Sequence, residues 1–170
     1  MDLAQPHADG TGRASTTTRQ LITCTLGASE YGIEIMAVQE IKGWSATTAI
    51  PQSPAWVRGV INLRGVIVPI LDLRARFGMA PTEPTSMHVV VIVQTGGRTM
   101  GILVDAVSDI ISVGPEDVRP VPEMNMESSE HLLSGLVPLE RGMVSLVCLD
   151  ALMAMPDGAS LVPPGAALVH

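Results

Sequence analysis

From residue 19 onward, apolar residues alternate with polar ones in short runs, each ended by glycine, proline or serine. That is the pattern of half-buried strands joined by turns. The runs "RQLITCTL" and "EYGIEI" flank "GAS" as a hairpin, with Tyr31, Ile33 and Ile35 on one face and Gly32 and Glu34 on the other. "MAVQEI" reads as one helical turn with Val38 and Ile41 on the same side, and "ATTAIPQSPAWV" as a loop with a turn of helix near Trp56. In "VINLR", Ile61 and Leu63 alternate with Asn62 and Arg64, which predicts a half-buried strand. The "RG" that follows predicts a tight hairpin with Gly65 at positive φ.

In "VIVPIL" the alternation stops. Val66, Val68 and Ile70 fall on one face, which reads as core, and Ile67 and Leu71 on the other. A strand apolar on both faces is either central or turned toward something outside the fold. Pro69, lacking an N–H, argues against a fully paired central strand. The ribbon is therefore expected to keep a face or an edge free. "LRARFGM" predicts a short helix, and "TEPTS" (82–86) a second break. Beyond it, "MHVVVIVQT", a "GG" turn and "RTMGILVDAVSDIISV" form another hairpin, and "PEDVRPVPEMNMESSEH" is a long loop. "LLSGLVPLE", "RG" and "MVSLVCLD" make a third hairpin before a short helix in "ALMAM".

About ten strands at turn spacing fall into two halves, near 19–80 and 87–150, and predict an all-β fold of two small packed barrels. Alternation does not decide whether strands are exchanged between the halves. Residues 1–18 are polar and aperiodic, which predicts a disordered arm, and the proline-bearing stretch 156–170 predicts a flexible tail.

Composition narrows the chemistry. With 46% hydrophobic and only 2% aromatic residues, the core must be aliphatic. A net charge of −7 disfavours nucleic acid and anionic membrane surfaces as partners. Lys42 is the single lysine. Cys24 and Cys148 sit in separate apolar runs and read as buried, reduced thiols. There is no signal-peptide h-region and no apolar run near the ~20 residues of a membrane helix, so a cytoplasmic protein is expected. His7, His88, His131 and His170 are scattered, without metal-ligand spacing, and no nucleophile or phosphate-loop motif occurs. Asp105 and Asp109, and Glu123, Glu127 and Glu130, read as turn and loop carboxylates. No cofactor, metal or catalytic residue is expected; the chain is read as a non-enzyme. Arg64 at a hairpin tip and Glu40 on an outward turn look instead like contact residues, and an exposed pair of that kind adds little stability.

The blocks "LGASEYGIEIMAVQEI", "RGVINLRGVIVPILDLR", "GILVDAVSDI", "RPVP" and "SGLVPLERGMVSLVCLD" resemble the CheW family of chemotaxis coupling proteins over 19–155. The resemblance implies two packed SH3-like five-stranded β-barrels with short helices and a carboxy-terminal helix. It implies an adaptor that couples the histidine kinase CheA, through its regulatory domain, to the cytoplasmic tip of chemoreceptors. The setting would be signalling arrays at the inner face of the membrane, with further copies of the family in the array. The alternative it leaves is a scaffold of a paralogous chemosensory pathway whose output is not motility. The interaction residues it implies here are Val38, Glu40, Arg58, Asn62, Arg64, Gly65, Ile67, Val104, Asp105 and Val107.

Overall fold

The computed structural model describes residues 18–122 and 132–153. The expected arm (except residue 18), the tail 156–170, and Glu123, Glu127 and Glu130 lie outside them. Ten strands form in order: β1 (Arg19–Leu26), β2 (Ser29–Glu34), β3 (Val38–Gly43), β4 (Val57–Leu63), β5 (Val66–Asp72), β6 (Val89–Thr95), β7 (Arg98–Val104), β8 (Ala106–Val113), β9 (Leu133–Leu139) and β10 (Gly142–Val147). Two one-turn helices follow the last strand of each half: α1 (Leu73–Arg76) and α2 (Leu149–Leu152).

The strands make two five-stranded sheets, each rolled as an SH3-like barrel. The lateral order is β3-β6-β7-β5-β4 in the first and β8-β1-β2-β10-β9 in the second. Each barrel takes strands from both halves of the chain. β1 and β2 complete the barrel of β8, β9 and β10, while β6 and β7 complete that of β3, β4 and β5. The halves therefore repeat one plan: β1 to β5 with α1, then β6 to β10 with α2. In each barrel one pair is parallel, β5 with β7 and β2 with β10.

The exchange explains the unbroken apolar runs. In β6, Val90 and Ile92 point into the first barrel with Leu63, Val68, Ile70 and Leu103. Their alternate neighbours Val91 and Val93 join a core shared by both barrels, with Ile22, Cys24, Leu26, Ile33, Leu71, Ile102 and Val104. Leu21, Val113, Val137, Val144 and Leu146 fill the second barrel. A strand with one face in a barrel and the other between barrels has no polar face to show. Burial pushes the Cys24 thiol up to about 12, so it stays protonated and packs as a small apolar group.

Three local readings change. "MAVQEI" is not a helical turn carrying Val38 and Ile41 together. A 3₁₀ turn at Ile35–Ala37 leads into strand β3. A bulge between Val38 and Glu40 then separates half-buried Val38 from exposed Ile41. The segment near Trp56 is a turn closed by Val57 N–H donating to Pro54 O at 3.0 Å, without a helix. The run "RTMGILVDAVSDIISV" is two strands, divided at Asp105 where the chain passes from one barrel to the other.

The first barrel closes between its edges. Thr48, after β3, exchanges backbone hydrogen bonds with Val60 of β4 at 2.8 and 2.9 Å. Gly59 makes the approach possible. Its φ is +135°, and a Cβ there would lie 2.3 Å from Thr48 O.

Candidate interaction surface

β4 and β5 are joined at Leu63 and Val66 by a two-residue turn. Both turn residues have positive φ, +53° at Arg64 and +87° at Gly65. That is the backbone of a type I′ hairpin, whose twist matches the flanking strands. Gly65 takes it without strain, whereas Arg64 pays a small steric cost. Asn62 Oδ1 accepts from Gly65 N–H at 2.7 Å and steadies the turn. The "RG" pair predicts positive φ at Gly65 alone; Arg64 shares it.

The rolled sheet brings this tip to Glu40 on β3, at the opposite end of the strand order. Arg64 Nη2 donates to Glu40 Oε1 at 2.7 Å. That hydrogen bond holds the Glu40 carboxyl below its ordinary value and the Arg64 guanidinium above its own. The bulge at Gln39 turns Glu40 toward the tip, while Gln39 Nε2 reaches Gln94 Oε1 at 2.6 Å. The Arg64 side chain remains 70% exposed, so the pair orients an outward-facing charge.

Exposed aliphatic residues neighbour it along β3 and β5. Val66 is 54% exposed, Ile41 44% and Ile67 41%. β5 is paired on both sides only at Ile70 and Leu71, and from Val66 to Pro69 it pairs with β4 alone. Pro69 thus sits in the half of the strand where the β7 side needs no ladder partner. The expected free ribbon lies here, but Val66 belongs to its exposed part and not to the core. Its face is shared with Val68 and Ile70, yet next to the turn it projects past the barrel rim. Ile41 was not singled out in the sequence; its signal was an isoleucine following the outward Glu40.

The other candidates lie elsewhere. Val38 is half-buried against the shared core. Arg58 lies about 20 Å down β4 from the tip. It donates to Thr82 O at 3.0 Å, lies 3.7 Å from Asp72 Oδ2 and sits over the Trp44 ring at 5.7 Å. It therefore braces the segment before β6, which Asp72 also holds by accepting from the Thr82 backbone N–H and hydroxyl at 2.8 and 2.7 Å. Val104 is fully buried in the shared core and presents no side-chain surface to solvent. Val107 packs against the same core.

Asp105 is occupied within the chain. Its Oδ2 accepts from Arg74 Nη2 at 2.6 Å and from Gly27 N–H at 2.7 Å, and its Oδ1 from Arg74 Nε at 3.2 Å. Partial burial works to raise its carboxyl, but the Arg74 and Gly27 donors outweigh it and hold the group below its ordinary value. Among the described residues no cluster of three or more His, Cys, Asp or Glu is placed to hold a metal ion. No helix there is long and apolar enough to cross a membrane.

The model of the CheW-like domain matches residues 20–157. The chain belongs to the CheW-like family. It is 43% identical over 136 residues to the probable chemotaxis protein CheW of Rhizobium etli, covering 80% of this chain and 88% of that protein. The chemotaxis protein CheW of Klebsiella aerogenes is 40% identical over 144 residues, 85% of this chain and 87% of its own length. The crystal structure of the scaffolding protein TtCheW from Thermoanaerobacter tengcongensis superposes with a TM-score of 0.75 at 27% identity, covering 84% of this CheW-like chain and 92% of the other.

Proposed function

We propose that this chain is a chemotaxis adaptor that couples the histidine kinase CheA to chemoreceptors and carries out no chemistry of its own. The observation that carries the reading is the Arg64 to Glu40 ion pair at the first barrel's rim, with exposed Val66, Ile41 and Ile67 next to it along the two strands. An outward-facing arginine held by a carboxylate, beside aliphatic side chains, is the make-up of a docking hot spot. The tip Asn62, Arg64, Gly65 and Ile67, with Glu40 across from it, forms the contact surface. Family membership and the relatives named chemotaxis protein CheW support the assignment to chemotaxis. The partners in this reading are the kinase's regulatory domain and the receptor's cytoplasmic tip, with further copies of the adaptor in the array. Its place is then the cytoplasmic face of the membrane, by recruitment.

The test is titration of the purified chain with a receptor tip fragment and, separately, with the CheA regulatory domain. Arg64→Gly is the informative variant, because glycine accepts the φ of +53° that Arg64 adopts. It is expected to weaken at least one of the two interactions on the order of tenfold while melting as the parent does. Unchanged affinity for both partners would remove Arg64 from the surface.

A further inference from the structure

The chain crosses between barrels twice in equivalent places of the repeated plan: at Ile35–Ala37 between β2 and β3, and at Asp105 between β7 and β8. The two crossings are built very differently. At the first, Met36 is 86% exposed. At the second, Asp105 gathers donors from both barrels. Its backbone N–H donates to Thr25 O of β1 at 3.0 Å. Its carboxylate accepts from Gly27 N–H, in the turn after β1 in the second barrel, and from the guanidinium fork of Arg74 on α1, which follows β5 of the first. His88, just before β6, adds a third neighbour. Its Nδ1 accepts from Thr85 N–H at 3.0 Å, which leaves the proton of the neutral ring on Nε2, 3.5 Å from Asp105 Oδ1.

The Gly27 and Arg74 positions have counterparts on the Met36 side, which shows the asymmetry again. There the end of β6 meets α2 through a neutral-to-charged contact, Thr95 Oγ1 to Asp150 Oδ1 at 3.3 Å. The apolar core between the barrels attracts without direction. A carboxylate held by an arginine fork and a backbone N–H has fixed geometry. Arg76 Nη2 of α1 also donates to Ala151 O of α2 at 3.3 Å, but the bidentate carboxylate contact at Asp105 has the more closely fixed geometry.

We propose that Asp105 is a positioning residue, a latch that with Arg74 and Gly27 sets the orientation of one barrel relative to the other. Release of the latch lets the barrels turn against each other across the shared core. Because the adaptor reading has the molecule hold two partners at once, the latch fixes the angle at which it presents them; this consequence rests on that reading, the latch itself does not.

The experiment measures the inter-barrel distance distribution by pulsed electron resonance. Spin labels go on cysteines replacing exposed Ser45, beside the first barrel, and exposed Ser112 in β8 of the second, in a Cys148→Ser background. Asp105→Asn keeps the shape and removes the charge; Arg74→Lys keeps the charge and removes the fork, and serves if the first variant does not fold. The expected result is a broadened or displaced distribution in either folded variant, with circular dichroism unchanged. A second arm measures how far one bound partner strengthens the other, a coupling expected to fall about tenfold in the variant. A distribution as narrow and centred as the parent's in both variants would overturn the latch. Broadening in a chain that binds neither partner would uphold the latch and sink the adaptor reading instead.

Discussion

At the scale of single residues, backbone geometry and charge do separate jobs. Gly59 serves the backbone: β4 can meet Thr48 only because no side chain intervenes. Gly59→Ala combines a disfavoured φ with a collision against a backbone carbonyl, and is expected to cost at least about 2 kcal/mol. Urea denaturation followed by circular dichroism reads this as a lowered midpoint; an unchanged midpoint would mean that the barrel closes differently. Asp105 serves through charge. Its folded value lies below the ordinary 3.8, so its stabilisation is present above that pH and is lost as pH falls through the lowered value. The loss of stability between pH 7 and strongly acidic solution should thus be smaller in Asp105→Asn than in the parent, measured by urea midpoints across that range. Equal acid slopes in the two proteins would contradict the assigned contacts.

At the scale of elements, β5 divides into an exposed tip and a buried root. Val66 is 54% exposed while Ile70 is 1% exposed, although both lie on one face of the strand. Val66→Ser is accordingly expected to shift stability by no more than about 0.5 kcal/mol. Ile70→Ala leaves a cavity in the first barrel and should cost about 2–5 kcal/mol. Thermal melts of the two variants give the comparison, and similar losses in both would mean that Val66 is covered.

The hairpins of β1 with β2, β4 with β5, and β9 with β10 were legible because alternation and turn residues are local signals. The pairing of strands across the halves was not, since alternation encodes which face is buried and not which strand lies alongside. For the same reason nothing in "GILVDAVSDI" marked Asp105 as a crossing: one residue suffices to change barrels without interrupting the apolar pattern. The nearness of Glu40 and Arg64 also escaped the spacing, because they sit on strands at opposite ends of one sheet and meet only when it rolls. The residue pattern and the resemblance both single out these two residues; the roll and the bulge at Gln39 supply the physical reason they touch. Val104 illustrates the reverse case, a residue carried over with its motif whose side chain belongs wholly to the core.

At the scale of the whole molecule, the exchange of strands makes the barrels interdependent. Neither closes from one contiguous half of the chain, and the largest apolar core lies between them. A two-lobed body with exposed Arg64 at one rim suits the proposed role of holding partners in register. The central claim is that the chain acts by bridging. Its most direct test is reconstitution of the kinase with receptor-bearing membranes, with and without the purified chain, scored by autophosphorylation rate. The account expects receptor control of the kinase only when the chain is added, and its loss with Arg64→Gly; receptor control without the chain, or none with it, would contradict the account.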